Sequence, residues 1–248
     1  MQIPNGIPVA AEALVRWRHP TKGLLRPAEF LPVLERSHDH ARFLAWQLQR
    51  ALSDRAMWGD RDLPICVNLA ARCLLDRELP NQVAAALHAA GVNGDQLMLE
   101  LTETAAAAGP VDEVLDELRG LGVRLAIDGF GTGHSSLTKL LQVPATDLKI
   151  AAEFVRDMLV SDQAAAICRL AVELGRSCGL HVTALGVTTA QHVTALTGLG
   201  CDAAQGRHLV PPLTPAALRD YLLDAPTKPA APEADVIPLH ARRRSSQP

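Results

Sequence analysis

Strand-like and helix-like patterns alternate along most of this chain, joined by short connections, and that alternation limits the fold more than any single motif. Ala11–Trp17, Ile65–Leu69, Leu97–Leu101, Val123–Ile127, Asp147–Ile150, Leu180–Leu185 and Asp202–Gln205 read as strands. Pro27–Arg36, Ala41–Trp58, Pro80–Ala90, Val111–Leu121, Asp162–Cys178, Thr189–Leu199 and Pro215–Leu223 read as helices. Pro27 stands near a helix N-terminus, and Gly91 stands just past a C-terminus. Repeated βα units imply a parallel sheet covered by helices, and 248 residues suit a closed eight-fold α/β barrel better than an open sheet.

The composition supports one full-sized core: 48% of residues are hydrophobic, but only 3% are aromatic, so Ala, Leu and Val must fill it. A formal net charge of −3 argues against an electrostatic grip on nucleic acid. Cys66, Cys73, Cys168, Cys178 and Cys201 form no CxxC pair and no zinc-ligand spacing, so reduced thiols in a cytoplasmic protein are expected. Met1–Val9 lacks a positively charged n-region, and charges break every apolar run before membrane-spanning length, so neither a signal peptide nor a membrane segment is expected. From Asp224 the chain turns Pro- and Ala-rich and ends in Arg242–Arg243–Arg244 and two serines. The expected organisation is a barrel over residues 1–223 and a disordered tail with a basic end over 224–248.

In parallel barrels the chemistry sits at the C-terminal ends of the strands. Here Asn68, Glu100, Glu103, Asp128 and Gln205 stand at or beside such ends, Glu12 lies in the first strand, and Lys149 lies in the strand after Asp128. Carboxylates and an amide converging on one mouth favour a hard divalent cation, Mg²⁺ or Mn²⁺, over zinc. Each residue alone could instead cap a helix or pair with an arginine; it is their repeated placement that points to a site.

The local sequences sharpen this reading. Glu12–Ala13–Leu14–Val15–Arg16–Trp17–Arg18–His19–Pro20 resembles the signature of the EAL family of cyclic di-GMP phosphodiesterases. Val67–Asn68–Leu69, Leu99–Glu100–Leu101–Thr102–Glu103, Asp128–Gly129–Phe130–Gly131–Thr132–Gly133, Leu148–Lys149–Ile150 and Gln205–Gly206 follow in that family's order, over roughly residues 9–213. The resemblance implies a modified TIM-like (β/α)8 barrel that opens cyclic di-GMP with two divalent ions. It further implies that Glu12, Asn68, Glu100 and Asp128 surround the first metal, and that Lys149 helps hold the attacking water and phosphate. On the same grounds Arg16 and Gln205 contact the dinucleotide. Glu103 steadies the loop Asp128–Ser136, which in the family couples the site to a dimer interface; His134 stands where the family usually has tyrosine.

The same comparison exposes departures. Gly129 replaces the second of two adjacent aspartates, Leu185 replaces the glutamate assigned as general base, Thr188 replaces a second functional glutamate, and Ala151 replaces the aspartate after the lysine block. Met1–Val9 is also short for the family's first strand and its turn, so the expectation is a missing or truncated first strand, either in an incomplete barrel or in a start trimmed from a longer protein. These features imply a degenerate member that binds cyclic di-GMP or a protein partner without hydrolysing it, with one metal site kept and the second lost. A weakly active phosphodiesterase and a pure interaction module without nucleotide are the rival readings. A homodimer and a diguanylate-cyclase or sensor domain are the partners the resemblance suggests.

Overall fold

In a computed structural model of the protein, the described residues are 1–37, 39–59, 63–106, 111–133, 138 and 142–227. Seven strands form one parallel sheet: β1 (Ala11–Glu12), β4 (Ile65–Asn68), β5 (Leu97–Thr102), β6 (Arg124–Phe130), β7 (Asp147–Ile150), β8 (His181–Ala184) and β9 (Ala203–Ala204), in that spatial order. A parallel sheet with helices around it is what the βα alternation predicts; among the described residues it curls as a seven-stranded half-barrel, consistent with the TIM-like fold, where the closed form was expected to have eight strands. Those helices include α1 (Pro27–Arg36), α2 (His40–Ala56), α3 (Leu79–Ala90), α4 (Glu103–Ala106), α5 (Asp112–Gly120), α6 (Ala152–Asp157), α7 (Asp162–Cys178), α8 (Ala190–Leu199) and α9 (Pro215–Asp224). The short helices α4 and α6 have too few residues to show a helical period, and the sequence did not reveal them.

Strand alternation sorts the core into two layers. Ile65, Val67, Leu99, Leu125, Leu148 and Val182 point outward under the helices and are at most 4% exposed. These outward residues belong to the main apolar cluster, which leucine dominates. Their inward neighbours Cys66, Met98 and Ala126 form a separate small cluster with Ala10. The inward row turns polar at both ends. At the N-terminal end Arg124 grips Asp147 with both arms, at 3.2 and 2.6 Å, and His181 Nδ1 lies 3.7 Å from the same carboxylate. The opposite end is the mouth.

Two local departures from the sequence reading concern the start of the chain. Ala11–Trp17 is not one strand: β1 ends at Glu12, and Trp17–His19 (β2) pairs antiparallel with Gly23–Leu25 (β3) in a separate ribbon. The turn between them is held by His19 Nδ1, which accepts the N–H groups of Thr21 and Lys22 at 3.2 Å each. Trp17 packs edge-on against Phe30 of α1, ring centroids 5.8 Å apart, so the ribbon is anchored by an aromatic contact rather than by the main sheet.

The first strand of the expected barrel is represented by three residues. Met1 and Ala204 exchange hydrogen bonds at 2.7 and 2.8 Å, and the Ile3 N–H donates to Asp202 at 3.2 Å, so Met1–Ile3 lies antiparallel along β9. Gln2 N–H then donates to Ile7 at 2.7 Å, folding the chain back toward β1. A truncated strand and its turn therefore do fit within Met1–Val9. At the other end α9 reaches Asp224, Ala225 is buried and Pro226 and Thr227 are exposed; residues 228–248 lie outside the described residues. No helix among the described residues is long and apolar enough to cross a membrane.

Candidate functional site

The mouth is assembled from the last inward residues of successive strands. Asn68 and Glu100 are direct partners in the β4–β5 register, and Thr102 faces Asp128 in the next pair, so parallel pairing brings the acidic residues to one rim. Glu12 at the end of β1 accepts from Asn68 Nδ2 through Oε1 at 3.0 Å and from Gln205 Nε2 through Oε2 at 2.7 Å. The second bond ties the ends of β1 and β9 together across the seam. Lys149, 5% exposed, rises from β7 into this ring, hydrogen-bonds Glu100 and lies 3.8 Å from Glu12 Oε2. Glu12, Asn68, Glu100, Asp128, Lys149 and Gln205 thus converge as the motif order predicts.

Burial and this lysine set the charges. Burial pushes the Glu100 carboxyl up to about 7 even though Lys149 opposes the shift. Burial likewise raises Asp128 against the pull of Lys149. Glu12 moves the other way: burial would raise it, but Lys149 and the hydrogen bonds from Gln205 and Asn68 outweigh that and hold it below the ordinary value. For Lys149 burial favours the neutral amine, yet the surrounding carboxylates, Glu100 first, keep it charged and raise its pKa. The lysine is therefore the internal counter-ion of the site.

Glu100 makes one pH effect readable. Its folded pKa is raised, so it contributes stability that is complete below the unfolded value and lost as the pH climbs through about 7. The wild-type unfolding midpoint should fall between pH 5 and pH 8, and Glu100→Gln should flatten that fall. Thermal unfolding across this range checks it; identical slopes for the two proteins would contradict the assignment.

Glu103 opens α4, directly after β5, and is 5% exposed. Its Oε2 accepts the backbone N–H groups of Gly131 at 3.0 Å and Gly133 at 3.1 Å, which pins the turn following Asp128. A Cβ on Gly133 would stand 2.7 Å from the Glu103 carboxyl carbon, so this clamp needs glycine. Residues 134–136, including His134 in the expected dimerisation loop, lie outside the described residues. Arg16 is exposed in the link between β1 and β2, where its guanidinium donates to Val15 O at 2.7 Å.

The four positions that depart from the family pattern lie in or just past β6, β7 and β8. Gly129 follows Asp128 with φ of +71°, and among the described residues a Cβ there would meet only Thr132 Oγ1, at 3.5 Å. Leu185 is half-buried just past β8, and its N–H bonds to Ile150 O at 3.1 Å. Thr183 lines the cavity, and Leu185 stands two residues further along the chain. Ala151 is buried at the N-terminal boundary of α6, and Thr188 is exposed. None of the four side chains can ionise.

Two buried oxygens, Glu100 Oε2 and Asp128 Oδ1, have no hydrogen-bond partner among the described residues. Unsatisfied carboxylate oxygens facing the same rim suit a hard cation. Yet no group of three or more His, Cys, Asp or Glu side chains among the described residues is gathered to hold one. The two facts agree once Lys149 is considered, because the acids are spread around its ammonium. The oxygen donors of Glu12, Asn68, Glu100 and Asp128 are of the type that suits Mg²⁺ or Mn²⁺, but as placed here they surround the lysine and are not gathered into a metal cage. One feature the motifs did not flag is Arg207, which follows Gln205–Gly206 and lines the same cavity as Glu12, Arg16 and Lys149.

Fold and mouth together define a parallel α/β half-barrel with an oxygen-rich rim built around a buried lysine. The EAL domain model matches residues 1–212, and the chain belongs to the EAL domain family. It is 38% identical over 208 residues to the bifunctional diguanylate cyclase/cyclic di-GMP phosphodiesterase MucR of Pseudomonas aeruginosa, a match that covers 82% of this chain and 30% of that protein. The chain thus spans less than a third of that relative's length. Among solved structures, the PaMucR phosphodiesterase in complex with c-di-GMP superposes with a TM-score of 0.84 at 36% identity, covering 88% of this chain and 90% of that one. Klebsiella pneumoniae BlrP1, in a manganese/cy-diGMP complex, superposes with a TM-score of 0.69 at 30% identity, covering 79% and 49% respectively.

Proposed function

We propose that this EAL domain binds cyclic di-GMP and does not hydrolyse it at an ordinary rate. The observation that carries the reading is Leu185, a hydrocarbon half-buried just past β8 where the family resemblance puts the general base. Leucine can neither accept a proton nor ligate a metal, and losing a general base alone removes about 10²–10⁴-fold in rate. Gly129 and Thr188 deprive the same region of two further acids, so a second divalent ion has no carboxylate there. These losses fall within one catalytic unit and do not simply add.

Binding gains from the same changes. Cyclic di-GMP is a dianion, and fewer carboxylates at the rim mean less repulsion. Arg16 and Gln205 are the dinucleotide contacts, with Lys149 facing a phosphate. One Mg²⁺ or Mn²⁺ held by Glu12, Asn68, Glu100 and Asp128 would supply positive charge beside a phosphate oxygen. Glu103, through the Gly131–Gly133 turn, is the element that passes occupancy to a second copy or to a sensor or cyclase domain. A weak phosphodiesterase is the second reading, favoured by the unpartnered oxygens of Glu100 and Asp128.

Calorimetry with cyclic di-GMP, with and without Mg²⁺, tests the binding claim. Saturable heat is expected under at least one condition, and no heat at high micromolar ligand would overturn the receptor reading.

A further inference from the structure

Five arginine or lysine side chains line the cavity that opens at the mouth: Arg16, Arg50, Arg124, Lys149 and Arg207. Three of them are already neutralised. Arg50 pairs with Asp54 at 3.1 Å, Arg124 with Asp147, and Lys149 with Glu100 and Glu12. Arg16 donates only to a backbone carbonyl, and Arg207 makes no ion pair among the described residues. Among the described residues, the uncompensated guanidiniums of this cavity are therefore Arg16 and Arg207.

Both follow strand ends that meet at the seam. Arg16 lies four residues after Glu12, and Arg207 lies two residues after Gln205. The Glu12–Gln205 hydrogen bond of 2.7 Å joins those two strand ends, so the two arginines follow the two partners of one junction. The turn that carries Arg207 is fixed by backbone bonds: His208 N–H donates to Val187 O at 3.2 Å, and Leu209 N–H donates to Gly206 O at 3.0 Å. Gly206 itself is wedged against Val187, where a Cβ would come within 2.0 Å of the carbonyl oxygen. The base of Arg207 is thus held while its side chain is exposed to solvent.

We infer that Arg207 is a second anion-binding residue of this site, taking one phosphate of a cyclic dinucleotide while Arg16 takes the other. The inference rests on the cyclic di-GMP reading above and adds a residue that the motifs do not assign. A guanidinium suits the task because it stays charged and can present two parallel N–H donors to a phosphate. It also replaces, from outside the barrel, positive charge that a second metal ion would otherwise bring to the ligand.

The test compares cyclic di-GMP binding by the unmodified chain, Arg207→Gln and Arg207→Lys in calorimetry at two salt concentrations. Arg207→Gln should weaken Kd about tenfold, the size of one charge-assisted contact. It should also reduce the salt dependence of binding, because one screened charge is gone. Arg207→Lys should recover part of the affinity. Unchanged thermal unfolding in both variants shows that the effect is on the ligand and not on the fold. If the unmodified chain binds and Arg207→Gln binds within twofold with the same salt dependence, this inference fails and the receptor reading stands. If the unmodified chain gives no heat, both fail.

Discussion

Placing glutamate at position 185 and aspartate at position 129 together should raise cyclic di-GMP hydrolysis by at least about 10²-fold over the unmodified chain, measured with Mn²⁺ as the rate of linear product formation. The scaffold can accept both changes. Leu185 is half-buried rather than sealed in the core, so a carboxylate there keeps access to water. Position 129 has a left-handed backbone, which aspartate enters more readily than most residues, at a cost of about 1–2 kcal/mol. Among the described residues, a Cβ at this position would meet Thr132 Oγ1 at 3.5 Å, an ordinary contact. Either single change should recover much less than the pair, because base and metal ligand serve one displacement. A pair that folds, binds ligand and still shows no gain would locate the defect elsewhere, with Thr188 and Ala151 the next positions to restore.

The second large effect concerns stability. Lys149→Met removes the ammonium from among Glu100, Glu12 and Asp128 and leaves buried carboxylates without a counter-ion. Breaking such a buried pair from one side costs about 3–5 kcal/mol. Adding Glu100→Gln to Lys149→Met should return part of that loss, since the orphaned charge is then gone and the two sites are in contact. Urea denaturation of the two single variants and the double variant gives the coupling. A loss below about 1 kcal/mol for Lys149→Met would mean that the lysine is not the counter-ion described here.

The fold was legible because its signal is periodic. Outward strand residues such as Val67, Leu99 and Leu148 are buried by helices, and the inward row is small in the middle and polar at the ends, so both faces left a pattern in the sequence. A helix end was readable for a local reason at Gly91, whose left-handed backbone closes α3, whereas Thr189, read as the first residue of its helix, is the hydroxyl cap of α8. The β2–β3 ribbon was missed because it is three residues per strand and is stabilised by Trp17 against Phe30, a contact between elements. Met1–Ile3 was underestimated because its pairing is with β9, some 200 residues away in sequence, and only the folded sheet shows it.

The site divides in the same way. Residues that belong to motifs, Glu12, Asn68, Glu100, Asp128, Lys149 and Gln205, could be picked out in order, and the sheet register explains why they meet. What the sequence hid was the pairing inside the ring. Lys149 acts as a counter-ion to Glu100 and Glu12, a relation between β7, β5 and β1 that no local spacing encodes. Arg207 was hidden for a similar reason, since its interest depends on which other cations of the cavity are already paired.

The most direct measurement of the central claim is a single incubation of the protein with stoichiometric cyclic di-GMP and excess Mn²⁺, followed by separation of bound from free nucleotide and chromatography of both fractions. Ligand retained by the protein and recovered in its cyclic form is the predicted result. Linear dinucleotide accumulating over many turnovers, or cyclic ligand found wholly in the free fraction, would contradict it.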